Sequence, residues 1–181
     1  MTTKSISTHD RLLEAALNLL SRQNINSLTL DNVAKEAGVS KGGLLHHFRS
    51  KEALIEGLLN YLFTSFEARV QHYYDAETDR SGRWLRAYIY ASFEEDHLPL
   101  ELTNFLLSAI NENTSLLTRV QTFYTHWANR LLNDGIPPAR AMIIHQATDA
   151  YWIDRSLQIT PDTLVPQADL INELLRLTEN N

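Results

Sequence analysis

Apolar residues recur along this chain at the spacing of helices, not in the alternation of strands. In 9–23, HDRLLEAALNLLSRQ, Leu13, Ala16, Leu17 and Leu20 fall at i, i+3, i+4 and i+7, the stripe of an amphipathic helix. Ser7 and Thr8 precede it as capping residues. Segment 30–37, LDNVAKEA, repeats the spacing with Leu30, Val33, Ala34 and Ala37, and Thr29 stands at the N-cap, where its hydroxyl accepts an orphan backbone N–H. Gly38 ends this helix. A glycine just past the last periodic residue takes the left-handed conformation that closes a helix, and Val39 folds back onto it. Ser40 caps a short third helix over 41–47, and Ser50 with Glu52 opens a long one over about 51–74, the acid favoured by the helix dipole.

In the third helix Leu44 and Phe48 are four apart and share one side, whereas Gly42, Gly43 and His46 project roughly the opposite way. A tight glycine turn between two helices, with another packed behind, is the helix-turn-helix arrangement. Its outer face fits a major groove about 12 Å wide. Small Gly42 and Gly43 let the backbone approach, Lys41 and Lys51 reach phosphates from helix starts, and His46 and His47 bond a phosphate or a base edge.

Beyond residue 74 the polar stretch 75–83 reads as a loop. Helices are predicted over 84–95, 99–111, 115–133, 138–157 and 167–178, with breaks at Asn-Asp-Gly-Ile-Pro-Pro (133–138) and Ile-Thr-Pro (159–161). No strand or internal repeat is predicted. The fold class is all-α: an N-terminal three-helix helix-turn-helix domain over 1–52, and a C-terminal helical domain over 53–181 reached through the 51–74 helix.

Charge changes the picture. The net charge of −6 argues against a nucleic-acid partner, but residues 1–52 hold seven Lys and Arg against five Asp and Glu, a net of +2, which leaves −8 on the rest. All four lysines lie at or before Lys51. The first quarter suits phosphates and the remainder repels them. With 44% hydrophobic and 21% charged residues in 181, the composition is that of a folded domain. No cysteine is present, which excludes disulfides, thiolate metal sites and a cysteine nucleophile. No apolar run reaches the ~18 residues of a membrane span, and the first residues lack a signal-peptide stretch, so the expected location is the cytoplasm.

Two enzyme patterns fail on context. Gly38-Val39-Ser40-Lys41-Gly42 matches the hydrolase elbow G-x-S-x-G, but that turn needs a preceding strand and a parallel sheet. Glu94 and His97 form one Glu-x-x-His pair, whereas a di-metal bundle needs two, and none of the other six histidines has an acid three residues earlier. Adjacent His46 and His47 point about 100° apart. No catalytic residue, metal or cofactor is expected.

Residues 29–54, TLDNVAKEAGVSKGGLLHHFRSKEAL, strongly resemble the DNA-binding segment of the TetR family of bacterial transcriptional regulators. The resemblance rests on Thr29, Val33, Ala34, Ala37-Gly38-Val39-Ser40, Gly42, Leu44, His47-Phe48 and Ser50-Lys51-Glu52, in register without a gap. It implies a groove-reading helix from Ser40 to Phe48, with Thr29, Ser40, Lys41, Gly42, Gly43, Leu45, His46, His47 and Lys51 as the DNA-facing set. Many members carry an aromatic at the position of Leu45 and a hydroxyl-bearing or small residue at that of Gly43; Leu45 offers a thymine methyl only an apolar contact. The resemblance further implies an unknown small-molecule effector in the second domain. Trp84, Tyr88, Phe105, Phe123, Trp127 and Trp152 are the candidate lining, with Arg119 and His126 as polar anchors, although aromatics at helical spacing also build ordinary core. It implies a homodimer through 138–157 and 167–178 on a palindromic operator, with repression relieved by the effector. A ligand-independent regulator or activator, a helical-bundle metal enzyme and a helix-turn-helix used for protein interaction are the alternatives.

Overall fold

A computed structural model describes residues 7–22, 28–94, 108–110, 113–157, 159 and 164–179. The elements, in order, are α1 (Thr8–Arg22), α2 (Leu30–Glu36), α3 (Lys41–His47), α4 (Lys51–Ala76), α5 (Arg83–Phe93), α6 (Thr114–Leu132), α7 (Pro138–Leu157) and α8 (Gln167–Leu177). No strand occurs among the described residues. The chain divides into two compact units, Met1–Phe63 with Leu98–Ala109 and Thr64–His97 with Ile110–Asn181. α4 runs from the first into the second.

In the first unit the buried face of α1 is wider than its periodic stripe. Leu12, Leu13, Ala15, Ala16, Leu19 and Leu20 are all buried, and Leu17 only half. The cause is packing on more than one side: α1 meets α2, and Leu13 also approaches Gly57 of α4. Phe48, directly after α3, lies against that glycine so closely that a Cβ there would come within 2.6 Å of the ring. This contact ties the end of α3 to α4. With Leu44, Leu54 and Leu58 also buried, one side of α3 is committed to the core.

The second unit is organised around α5, whose residues Leu85–Ile89 and Ala91–Phe93 are all buried and which meets α6, α7 and α8. A helix covered on several sides has no need of a polar face, yet Arg86 lies inside. Its Nε donates to Glu77 at 2.6 Å and its Nη1 to the Ser81 carbonyl at 2.8 Å, which closes the 77–82 turn onto α5. α5 stops two residues short of the predicted 84–95 because Glu94 turns extended and its carboxylate faces Arg69 at 3.7 Å. The helix predicted over 99–111 falls largely outside the described residues, as does His97; residues 108–110 are helical. No helix among the described residues is long and apolar enough to cross a membrane, and no group of His, Asp or Glu there could hold a metal.

Candidate functional site

The candidate groove-reading element is held by caps and one turn. Thr29 Oγ1 accepts from the Asn32 N–H at 3.2 Å and Ser40 Oγ from the Gly43 N–H at 3.1 Å. Between α2 and α3, Gly38 adopts φ +67°. Its N–H donates to the Lys35 carbonyl and the Val39 N–H to the Ala34 carbonyl, the pair of bonds that ends a helix on a left-handed residue. Arg11 of α1 adds a third tie, Nη2 donating to the Ala37 carbonyl at 2.7 Å, where the negative end of the α2 dipole favours a cation. Sequence reasoning missed Arg11; nothing in its own helix marks it, because its partner lies 26 residues away.

The outer surface of α3 carries Lys41, Gly42, Leu45, His46 and His47, all exposed, while Leu44 and Phe48 are buried. Gly43 is half-buried. A Cβ at Gly42 would meet nothing nearer than Ser40 Oγ at 4.0 Å, so nothing within the chain demands a glycine there. Lys41 Nζ lies 2.9 Å from Asp31 Oδ1. Both groups are mostly exposed, and an ion pair of that kind contributes only about 0–1 kcal/mol, so Asp31 holds Lys41 weakly. His47 extends the surface toward α1, 6.1 Å ring to ring from His9, whose ring lies tilted against Phe48 at 4.9 Å. At the next helix start Ser50 Oγ accepts from the Ala53 N–H at 3.1 Å, and exposed Lys51 follows. Hydrogen bonds from its own backbone N–H and from Ser50 hold the Glu52 carboxyl below its ordinary range.

A second constellation lies in the second unit. Trp84, Tyr88, Phe123 and Trp127 come together, with Tyr88 5.5 Å, Trp84 6.2 Å and Phe123 6.4 Å from the Trp127 ring. Phe66 of α4, which the sequence left in a connecting helix, joins them at 5.2 Å from Tyr88 and 5.8 Å from Trp127. Phe105 and the side chain of Trp152 lie outside the described residues. Arg119 and His126 are exposed on α6 because the helix turns them away from the buried Trp127 side. The polar groups the aromatic cluster contains are others: Tyr88, Asp149 and His145. The Tyr88 hydroxyl donates to Asp149 Oδ1 at 2.6 Å, and His145 Nε2 lies 3.1 Å from Oδ2. Burial, and then the Asp149 charge, push the Tyr88 hydroxyl well above its ordinary value. Burial likewise raises the Asp149 carboxyl, against the opposing pull of His145 and of the Tyr88 hydrogen bond. Although 43% of Tyr124 is exposed, desolvation at its hydroxyl and then the Asp149 charge push it up to about 12.

Comparison with known proteins finds a family match in each part of the chain. Residues 12–58 match the family described as bacterial regulatory proteins, tetR family, and residues 82–179 match the tetracyclin repressor-like C-terminal domain. The nucleoid occlusion factor SlmA of Vibrio cholerae is 32% identical over 81 residues, covering 44% of this chain and 41% of its own. The transcriptional repressor KstR2 of Mycolicibacterium smegmatis is 32% identical over 88 residues, covering 49% and 42%. The chain thus spans less than half the length of these two relatives, whereas the regulator BetI of Burkholderia thailandensis, 26% identical, aligns over 92% of this chain and 91% of its own. Among solved structures, a Rhodococcus transcriptional regulator superposes with a TM-score of 0.76 at 20% identity, over 95% of this chain and 94% of that one. The multidrug binding protein EbrR complexed with ethidium superposes at 0.66 and 24%, over 96% and 100%; at these identities the likeness concerns the fold.

Proposed function

The chain belongs to the TetR family of bacterial regulatory proteins, and from that premise we propose that it is a sequence-specific DNA-binding transcriptional regulator. In this reading a cytoplasmic homodimer represses from a palindromic operator and is released by a small-molecule effector; it is not a catalyst. The observation that carries the DNA-reading part is the division of α3 into a buried side, Leu44 and Phe48, and an exposed side of Lys41, Gly42, Leu45, His46 and His47. The turn at Gly38 holds that exposed side outward. Two such helices about 34–36 Å apart would read successive major grooves. The proposed DNA-facing set is Thr29, Ser40, Lys41, Gly42, Gly43, Leu45, His46, His47 and Lys51; the Thr29 and Ser40 oxygens accept the backbone caps, which leaves each hydroxyl O–H to donate to a phosphate oxygen. The aromatic cluster of the second unit would take the effector, and binding there would shift the dimer toward a state whose reading helices no longer match groove spacing, a coupling that must be reciprocal.

Selection of bound duplexes from a random library, with the Lys41→Ala/His46→Ala variant in parallel, tests the reading. An enriched palindrome lost in the variant is expected; no enrichment by the effector-stripped protein would overturn it. On the selected operator, Lys41→Ala should weaken binding to many sequences alike and reduce the log–log salt slope by about 1, as loss of one phosphate contact does. An unchanged slope would remove Lys41 from that role.

Gly42→Ala separates folding from reading. Alanine is favoured over glycine in a helix by up to about 1 kcal/mol, and the added Cβ meets open space. The thermal midpoint should therefore rise slightly while operator affinity falls, because the methyl group occupies the space where the DNA approaches. A variant that binds the operator as tightly as the parent would show that nothing comes close to Gly42.

A further inference from the structure

The second unit keeps a carboxylate inside an aromatic cluster without giving it a strong cation. Asp149 on α7 accepts one hydrogen bond, from Tyr88. His145 Nε2 is near Oδ2, at an ion-pair distance of 3.1 Å but without hydrogen-bond geometry. No Lys or Arg is paired with Asp149 there. A carboxylate presents about four lone-pair sites, so acceptor capacity remains in a setting where burial already disfavours the charge. Its side chain retains 19% exposure, which leaves it within reach of a small molecule. A second group is also unfulfilled: Trp127 is 1% exposed and its Nε1 has no acceptor. An interior N–H left without an acceptor carries a desolvation penalty that an apolar side chain of the same size would not.

The surrounding rings favour positive charge. Their faces are negative, and the cluster already takes cations on its members: the Arg130 guanidinium lies 4.3 Å over Trp84 and 5.2 Å over Trp127, and Arg69 lies 5.8 Å over Phe66. An anionic ligand would meet Asp149 with like charge. A neutral one would leave the carboxylate as it is.

We propose that Asp149 anchors the effector and that the effector is a protonated organic amine, its N–H groups donating to the spare Asp149 lone pairs and its apolar body lying against Phe66, Tyr88 and Phe123. An oxygen or nitrogen acceptor on the same molecule would take the Trp127 N–H. The inference rests on the effector reading of the second unit and adds to it the chemical class of the ligand.

Three probes of similar shape and different charge test it by calorimetry on the full chain: 2-phenylethylamine, 2-phenylethanol and phenylacetate. The amine should bind at least tenfold more tightly than the alcohol, phenylacetate should not bind, and the amine should release the chain from the selected operator. Asp149→Asn retains an acceptor for Tyr88 and removes a buried charge, so it should stay folded and lose the preference for the amine. Equal or tighter binding of the alcohol or phenylacetate, no binding of the amine, or an amine preference that survives in Asp149→Asn would overturn the proposal. The two readings fail differently. Release of the operator by the alcohol or phenylacetate would keep the effector reading and discard the amine; binding of the amine without release would keep the site and discard its role as an effector site.

Discussion

Replacing Ile143 and Ile153 together by Asp should turn the proposed homodimer into a folded monomer and weaken operator binding by at least about a hundredfold. Both residues lie on α7 and are largely exposed in the single chain, 61% and 47%. Exposed Ala150 and half-buried Ala147 lie between them, and positions 143, 147, 150 and 153 share one side of a helix. Large exposed aliphatics beside small residues permit close approach of a second copy. Two carboxylates introduced there would have to be desolvated without partners, a penalty of several kcal/mol per charge, so the association would fail while the exposed positions leave the fold intact. Operator binding would then rest on one reading helix, and single half-sites forfeit most of the gap of about 10³–10⁷ between specific and non-specific affinity. Sedimentation and operator titration check both parts. A variant that remains dimeric would place the interface elsewhere, and a monomer with undiminished affinity would separate dimerisation from reading.

The second large effect is on stability. Arg86→Met should destabilise the second unit by about 3–5 kcal/mol, the range for breaking a buried ion pair from one side. The Arg86 side chain is 3% exposed and that of Glu77 18%, so the carboxylate left behind would be poorly hydrated, and the Ser81 carbonyl would lose its donor as well. The turn that enters α5 depends on these bonds. It is pinned again where the Gly82 N–H donates to the Asp134 carbonyl at 2.7 Å and the Leu85 N–H to Asp134 Oδ2 at 2.8 Å. Burial raises the Asp134 carboxyl above its ordinary range even as the Leu85 and Trp84 backbone bonds favour its charge. Adding Glu77→Gln to Arg86→Met should recover part of the loss by removing the stranded charge. Urea unfolding of both variants measures this; a single variant within about 1 kcal/mol of the parent would show that the pair contributes little.

Local sequence determined most of the first unit. The helix starts at Thr29, Ser40 and Ser50 depend on a hydroxyl and an N–H three residues apart, and the stop at Gly38 depends on a backbone angle that glycine adopts freely. Such interactions close within a few residues and can be read in order along the chain. The same holds for the division of α3, since the position of Leu44 and Phe48 on one side follows from helical period alone. Local pattern also placed α7 over 138–157 and α8 to within one residue of its end.

The tertiary structure alone decided which groups meet across distance. Arg11 and the Ala37 carbonyl, Lys41 and Asp31, Arg86 and Glu77, and Tyr88 and Asp149 are joined by packing between elements, and no spacing rule pairs them. Phe66 belongs with Tyr88 and Trp127 for the same reason, whereas Arg119 and His126, chosen from their neighbourhood in sequence, stand exposed on α6. Helix caps and periodicity are properties of one segment and can be read from it alone. The partner of a buried charge is set by which helix faces are pressed together, and that is a property of the whole unit.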